Sequence, residues 1–391
     1  MRRPELTEAV IVATSRTPIG RAAKGSLVDV RPDDLAAFAI RDVLAQAPGV
    51  DPRDVVDVML GCGFPEQRQG MNLARRASLL AGLPFSVPGT TVNRFCASSL
   101  QTTRMAFHAI RAGEGECYVA AGVESISQVN GYPKSPDELH PLLHGHGAIA
   151  DAYIPMGVTA ENVAERWDVS REEMDRFAQR SQERAVAAQQ SGFFARELTP
   201  YTRDDGTVVA MDDGPRADST LERLASLQPV FREGGKVTAG NACPLNDGAA
   251  AVLVTSAAYA ERHGLRPRAR IIASAVTGVE PEIMGVGPIE AVRTVLRHAG
   301  MTIDDVDVVE LNEAFAAQVI PVCAEVGVDP FGEKLNPHGG AIALGHPYGM
   351  TGARIMCTLL NDLETLDKTI GLETMCVGGG QGMAMLVERL A

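Results

Sequence analysis

The sequence predicts an α/β protein built as two similar units, and three observations carry that reading. Strand-like apolar runs alternate with helical patterns, which implies largely parallel sheets. Two stretches about 250 residues apart resemble each other. A polar, turn-rich segment of different character lies between them.

Ala9-Val-Ile-Val-Ala13 reads as a buried strand closed by Thr17-Pro-Ile-Gly20. From Asp33 to Ala47, Leu35, Phe38, Ala39 and Val43 recur at helical spacing, and Pro48-Gly49 stops the run. Val55 to Leu60 is the next strand, Ala97 to Arg111 a helix, and Tyr118 to Val123 a further strand. Val56-Asp-Val-Met-Leu60 resembles Val306-Asp-Val-Val-Glu310 at an offset of 250, and Ala39-Ile-Arg-Asp-Val-Leu44 resembles Ala291-Val-Arg-Thr-Val-Leu296 at 252. Cys96 plus 250 falls on His346, and each precedes a helical stretch. A strand follows on each side, Tyr118 to Val123 and Leu372 to Val377, as a duplication requires. Between the halves, Thr159 to Gln190 reads as one strongly helical stretch inside an insertion that supplies a binding surface.

Composition excludes several classes. In 391 residues, 36 Lys+Arg stand against 49 Asp+Glu, a net charge of −13, which argues against nucleic acid or an anionic membrane as partner. Aromatics are 5% with one Trp, too few for base-stacking platforms. Seven scattered Cys include no CxxC pair, so no zinc ribbon or redox dithiol is predicted. No apolar run reaches the roughly 18 residues of a membrane span, and the N-terminal residues form no secretory signal. A reducing, cytoplasmic location is expected. His140, His144 and His146 could ligate a metal but have no nearby Cys, and no metal is expected there.

Four elements carry chemistry. Cys96, in Asn93-Arg-Phe-Cys-Ala-Ser-Ser-Leu100, starts a helix, where the positive dipole end can depress a thiol pKa. His346 stands between Gly345 and Pro347 in a glycine-rich bend, and a histidine beside a thiol is the usual way to make a thiolate. Cys376 ends a strand that runs into Gly378-Gly-Gly380, and Gly378 offers an N–H to a developing oxyanion. Asn312 lies in Leu311-Asn-Glu-Ala-Phe315 at another strand end.

Together these elements resemble the thiolase family over essentially the whole chain. Ala121-Gly-Val-Glu-Ser-Ile-Ser127, Val237-Thr-Ala-Gly-Asn241, Asn246-Asp-Gly-Ala-Ala-Ala251 and Gly340-Ala-Ile-Ala-Leu-Gly-His-Pro347 add to the match. The resemblance implies a duplicated five-layer αβαβα fold with an inserted loop domain. Its limits would be 1–125 plus 246–266 for the N-terminal domain, 126–245 for the insertion and 267–391 for the C-terminal domain. It implies Cys96 as acyl-carrying nucleophile, His346 as its base and Cys376 as acid/base at the α-carbon. Asn312 would hold a water that forms one oxyanion hole with His346, and the N–H groups of Cys96 and Gly378 would form the other.

The implied reaction is CoA-dependent cleavage of a 3-ketoacyl-CoA, or the reverse Claisen condensation. Coenzyme A is then a substrate, no cofactor is needed, and a homodimer or homotetramer is expected. A polyanionic ligand on an acidic protein needs a local basic cleft, for which the insertion offers Arg216, Arg223, Arg232 and Lys236 close to Phe231. Pantetheine contacts are expected near Ala239, Cys243, Leu245 and Phe315. Pro155 stands where acetoacetyl-CoA specialists carry His, which points to the broad-range degradative members. Cys243, Ser99, Tyr348 and His338 depart from common family residues, and Ser99 and Tyr348 bear on acyl-pocket size. An acetoacetyl-CoA-specific enzyme and a non-catalytic acyl-CoA-binding protein are the alternatives. A decarboxylating condensing enzyme is disfavoured because it pairs its Cys with two histidines, and here the third group is Cys376.

Overall fold

The computed structural model describes residues 7–129, 135–144 and 149–390. The first half runs β1 (Ala9–Arg16), a two-residue β2 (Gly20–Arg21), α1 (Pro32–Ala45), β3 (Asp57–Gly61), α2 (Leu73–Leu80), β4 (Gly89–Val92), α3 (Ser98–Ala112) and β5 (Cys117–Ser125). The insertion holds α4 (Met156–Arg166), α5 (Arg171–Ser191), a small hairpin of β6 (Tyr201–Thr202) and β7 (Val208–Val209), and α6 (Leu221–Ala225). The chain then returns through β8 (Asn246–Ser256) and α7 (Ala257–Arg262). The second half runs β9 (Ala269–Gly278), α8 (Gly287–Ala299), β10 (Val308–Leu311), α9 (Ala316–Val326), α10 (Ala341–Leu344), α11 (Thr351–Thr365), β11 (Ile370–Val377) and β12 (Gln381–Arg389).

The strands order as β10-β11-β12-β9-β1-β8-β5-β3-β4, with β2 added on β8. The duplication is explicit in this order. β3 and β5 pair parallel, then β5–β8 and β8–β1 antiparallel. In the second half β10 and β11 pair parallel, then β11–β12 and β12–β9 antiparallel. Two antiparallel residue pairs between β1 and β9 join the halves. The sheet is therefore mixed, and the expectation of largely parallel strands is corrected. The physical reason is the short Gly378–Gly380 turn, which can only return β12 antiparallel to β11.

Strand alternation builds the layers. Val119, Ala121 and Val123 of β5 face the cluster around α1 and α2, while Tyr118 and Ala120 face the cluster containing α3 and α11. On β12, Met383, Met385 and Val387 face the same central helices, and Ala384 and Leu386 face the outer side that holds α8 and α9. Helices thus cover both outer faces and fill the middle, giving five layers. The expected single helix from 159 to 190 is two. Asp168 turns left-handed at φ 50°, and Ser170 opens α5 with a reciprocal capping box to Glu173.

The two central helices meet at their N-termini by backbone contact. A Cβ on Gly352 would come within 2.3 Å of the Leu100 backbone nitrogen, and one on Gly122 within 2.0 Å of the Gly349 carbonyl oxygen. Ser99 Oγ accepts the Ala353 N–H at 2.8 Å, so one central helix caps the other. Ser99 is fully buried in this contact. Its expected bearing on acyl-pocket size is corrected accordingly.

Candidate active site

Cys96 lies in a single 3-10 turn, Phe95–Ala97, that leads into α3. Phe95 takes the left-handed φ of 42°, held by its N–H donating to Asn93 Oδ1 at 2.8 Å. Ser98 Oγ receives the Arg94 N–H at 2.9 Å and donates to the Phe95 carbonyl at 2.6 Å, which locks the turn. The N–H groups of Gly378 and of Cys96 itself act on the Cys96 sulfur in the direction of the thiolate. Burial outweighs them, with Glu124 adding, and pushes the thiol up to about 12. The helix-start depression expected from sequence is overturned by desolvation. Cys96 therefore stands as a neutral thiol near pH 7.

His346 is fixed on three sides. Its N–H donates to Asn246 Oδ1 at 2.9 Å, Nδ1 lies 2.7 Å from Thr351 Oγ1, and Nε2 lies 3.4 Å from Asn312 Nδ2. Thr351 already gives its one hydroxyl proton to the Pro347 carbonyl at 2.9 Å. Oγ1 must therefore accept from Nδ1–H, which leaves Nε2 bare. Asn312, an N–H donor at this point, agrees with that tautomer. Burial, with Arg354 adding, lowers the imidazole to about 3, so His346 is neutral near pH 7, with an unprotonated Nε2 facing the Asn312 amide.

Asn312 follows β10, and its N–H donates to the Thr374 carbonyl of β11 at 3.0 Å. Its buried Oδ1 has no protein partner among the described residues. Asn312, Gln318 and Cys376 line one small void. The Cys376 thiol donates to Gln318 Oε1 at 3.6 Å, and burial pushes it well up, with Cys96 and Cys243 adding. Cys243 is pushed up by burial and then by Cys96. Three thiols, one neutral imidazole and one amide thus share the site. Tyr348 stacks edge-on to His346 at 4.9 Å and to Phe64 at 5.6 Å, so this departure from common family residues does border the site.

Several supporting residues were missed by sequence reasoning. Glu124, fully buried at the end of β5, accepts from the N–H groups of Gly63 at 2.8 Å and Gly349 at 2.9 Å and from Gln69 Nε2 at 2.6 Å. Asn246, Thr351 and Glu124 all stand inside or beside recognised segments, but nothing in their spacing says which partner each takes. Glu313 accepts from Asn336 Nδ2 at 2.8 Å and from Ser181 Oγ at 2.5 Å, tying the strand end to the insertion.

The residues expected to contact CoA separate into two groups. Arg216, Arg223 and Ala239 line a cleft of about 750 Å³ together with Arg21, Gln182, Leu224 and Ala242. Cys243, Leu245, Phe231 and Phe315 do not line it. Phe231 and Phe315 form an edge-on pair at 6.0 Å, and Ala242 bridges to Phe315, so the pair adjoins the cleft. Leu245 is exposed and Cys243 half-buried. Arg223 is paired with Asp218. Arg232 bonds Asn162 Oδ1 at 2.5 Å, and Lys236 Nζ donates to the Val169 carbonyl at 2.8 Å. Of the three histidines weighed as metal ligands, His146 lies outside the described residues and His140 Nδ1 accepts the Leu142 N–H at 3.2 Å.

Known proteins resemble this chain throughout. Two family models match, "Thiolase, N-terminal domain" over residues 9–258 and "Thiolase, C-terminal domain" over 265–389. A beta-ketoadipyl-CoA thiolase of Pseudomonas aeruginosa is 47% identical, over 98% of this chain and 99% of that protein. A 3-ketoacyl-CoA thiolase of Bacillus subtilis is 42% identical, over 98% and 100%. The crystal structure of the Bacillus anthracis acetyl-CoA acetyltransferase superposes with a TM-score of 0.90 at 39% identity, covering 99% of this chain and 100% of that one.

The buried imidazoles set a pH dependence. His338, lowered by burial to about 4, and His346, at about 3, both take up protons more readily once unfolded, where the ordinary value is 6.5. Below about pH 6.5 the unfolded chain binds protons that the folded chain refuses, so these two groups cost stability as pH falls toward 4. The buried carboxyls of Glu310, Asp362 and Glu373 are pushed up by burial and act in the opposite sense. The difference between proteins is therefore the readout. Denaturant midpoints from pH 7 to 4.5 should fall less steeply for His346→Asn than for the parent, and parallel curves would remove His346 from this account.

Proposed function

The chain belongs to the thiolase family, and on that premise we propose how its residues divide the reaction. The protein is an acyltransferase that performs CoA-dependent cleavage of 3-ketoacyl-CoA to acetyl-CoA and a shortened acyl-CoA, or the reverse condensation. The observation that carries the division of roles is the bare Nε2 of a neutral, buried His346 in a site where the Gly378 N–H reaches the Cys96 sulfur.

Cys96 Sγ attacks C3 of the 3-ketoacyl-CoA while His346 Nε2 takes the thiol proton. The tetrahedral oxyanion forms in a site whose donors are already aimed, so no solvent reorganises at that moment. The C2–C3 bond breaks, and the acetyl-CoA enolate takes a proton at C2 from the Cys376 thiol. The Cys376 thiolate then takes the proton of an incoming CoA thiol, whose sulfur attacks the acyl carbon. Cys96 leaves as thiolate and regains its proton from His346. Asn312, with its unpartnered Oδ1 and its N–H on Nε2, would orient a water at the enolate oxygen. Coenzyme A enters and leaves as substrate, and the scheme uses no resident cofactor.

The domain limits are proposed at 1–125 plus 246–266, 126–245 and 267–391; β5 ends at Ser125 and β8 begins at Asn246, which supports the inner pair. The seven cysteines are all free, which fits a reducing, cytoplasmic setting. No helix among the described residues is long and apolar enough to cross a membrane. A homo-oligomer is proposed from the open end of the sheet. Among the described residues β4 pairs only with β3, and Met71 and Phe85 beside it are 92% and 86% exposed. Sedimentation should give a mass above one chain, lowered by Phe85→Asp; a parent sedimenting as one chain at micromolar concentration would refute the oligomer.

Acyl transfer is read directly by mass spectrometry. After brief exposure to acetyl-CoA the adduct should lie on the peptide containing Cys96. Cys376→Ser should still acquire it but turn over about 10²–10⁴-fold more slowly, whereas His346→Ala should already fail at acylation. An adduct confined to Cys376 or Cys243 would overturn the roles, and acyl-CoA binding without any adduct would leave the non-catalytic reading.

For the acyl group, a broad range is proposed from Pro155, which opens α4 beside the site. Each methylene buried in an apolar channel is worth up to about 0.8 kcal/mol, so kcat/KM should rise over several added carbons from C4 to C12. A monotonic fall from C4 would instead identify an acetoacetyl-CoA enzyme. A preference for 3-oxoadipyl-CoA, a substrate of the kind named for the Pseudomonas relative, would mark a dicarboxylate pocket.

A further inference from the structure

Gln318 carries a buried amide whose side-chain partners among the described residues are both sulfur atoms. It stands in the first turn of α9, just past Phe315. Oε1 accepts the Cys376 thiol proton at 3.6 Å, and Nε2 donates to Met284 Sδ at 3.5 Å. Chemistry assigns the two ends: a thioether can only accept, so it faces the N–H group, and the thiol proton needs the oxygen. Sulfur is a weak partner, and a buried amide ordinarily finds oxygen or nitrogen. A methionine or leucine would fill the same space without that cost. The fold nevertheless makes room for the amide. A Cβ on Gly285 would come within 2.2 Å of Gln318 Cγ and Cδ, so glycine there admits the side chain. The start of α9 is pinned as well. The Ala316 N–H donates to the Asn241 carbonyl at 2.9 Å, and the Cys243 N–H to the Ala314 carbonyl at 3.0 Å.

Cys376 has two opposite tasks in the proposed reaction. As a thiol it gives its proton to C2 of the enolate: the S–H bond breaks, the C–H bond forms, and the electron pair stays on sulfur. As a thiolate it then takes the proton of the CoA thiol, whose own electron pair attacks the acyl carbon. Burial, then Cys96 and Cys243, disfavour that thiolate, with the Cys376 backbone N–H working the other way. A fixed donor would serve one state of the sulfur and a fixed acceptor the other. A primary amide carries both, on a terminal torsion that is broad and roughly two-fold. We propose that Gln318 is the positioning residue of Cys376: Oε1 holds the thiol proton until the enolate takes it, and the amide then turns so that Nε2–H donates to the thiolate. Gln318 itself gains and loses no proton. Met284 suits this turn, because a thioether makes only a weak contact with the N–H that leaves it. The proposal rests on the reading of Cys376 as acid/base.

The test separates two half-reactions of the full-length enzyme. Exchange of the C2 hydrogens of acetyl-CoA with D2O, followed by NMR, runs enolate protonation in reverse and needs the Cys376 thiolate. Acetylation of Cys96, read by mass spectrometry, does not. Gln318→Met keeps the length of the side chain and removes the amide. Exchange should fall about tenfold or more, the loss expected when a hydrogen bond to a charged group is removed, while Cys96 is acetylated to the parent's extent. Gln318→Glu should fall further, since a carboxylate cannot donate and sets a like charge beside the thiolate. Gly285→Ala displaces the amide without altering it; it should slow exchange alike and add nothing in the Gln318→Met background. Exchange at the parent's rate in Gln318→Met, an equal loss of Cys96 acetylation, or additive effects in the double variant would each overturn the proposal. Cys376→Ser tells this failure from that of the underlying reading. Exchange lost there but intact in Gln318→Met would remove Gln318 alone. Exchange intact in Cys376→Ser would remove Cys376 as acid/base, and its positioning residue with it.

Discussion

The chemistry depends on a backbone contact so close that a Cβ would not fit in it. Cys96 lies two residues before α3 and His346 five residues before α11, so the site depends on those two helix starts touching. A Cβ at Gly122 or Gly352 would strike backbone, which cannot swing aside as a side chain can. Overpacking of this kind typically costs about 1–3 kcal/mol where the surroundings can yield. Ser99 then adds a polar tie across the contact by capping the opposite helix. Glycine at these positions is therefore a condition of function, although none of these residues touches a reacting atom.

The dryness created by that packing sets the electrostatics. In water a thiol and an imidazole would both be closer to ionising; here burial drives Cys96 up to about 12 and His346 down to about 3. A preformed thiolate–imidazolium pair is thus disfavoured, and in the proposed scheme the proton moves as the sulfur attacks. The fixed donors carry more weight as a result, because N–H dipoles in a water-excluded site stabilise an oxyanion far better than they would in solvent. Thr351 serves the same end by deciding which imidazole nitrogen is free.

Much of this was legible in the sequence because the reactive residues sit at element boundaries, where turn chemistry leaves local signals. The repeat at offset 250 places Cys96 and His346 at equivalent helix starts, and the strand order of the two halves follows the same plan. The signs of the perturbations were not legible. A helix start suggested a lowered thiol pKa, but burial is a property of five layers together and reverses it. Strand direction was misjudged for a related reason, since alternation of strands and helices says nothing about β12, which returns through a tight turn with no helix between. Ser99 looked like a pocket residue until its partner, an N–H of the other half, was seen.

Duplication explains why one end of the sheet system holds unlike groups in like places. β5 and β11 are equivalent strands, and both end beside the central helices. At the end of β11 the chain places Cys376, which lines a void with Asn312, and the Gly378 N–H, which reaches the Cys96 sulfur. At the end of β5 it places Glu124, a buried carboxylate turned toward the N–H groups of Gly63 and Gly349. Gly349 follows His346 in the other half, so this carboxylate ties the loop of the base to the half that carries the nucleophile. The two halves thus hold unlike groups: one strand end carries a thiol and an N–H beside Cys96, and the other a carboxylate that fixes the loop of His346. The ancestral symmetry survives in the backbone, and the catalytic asymmetry lives in a few side chains at its seams.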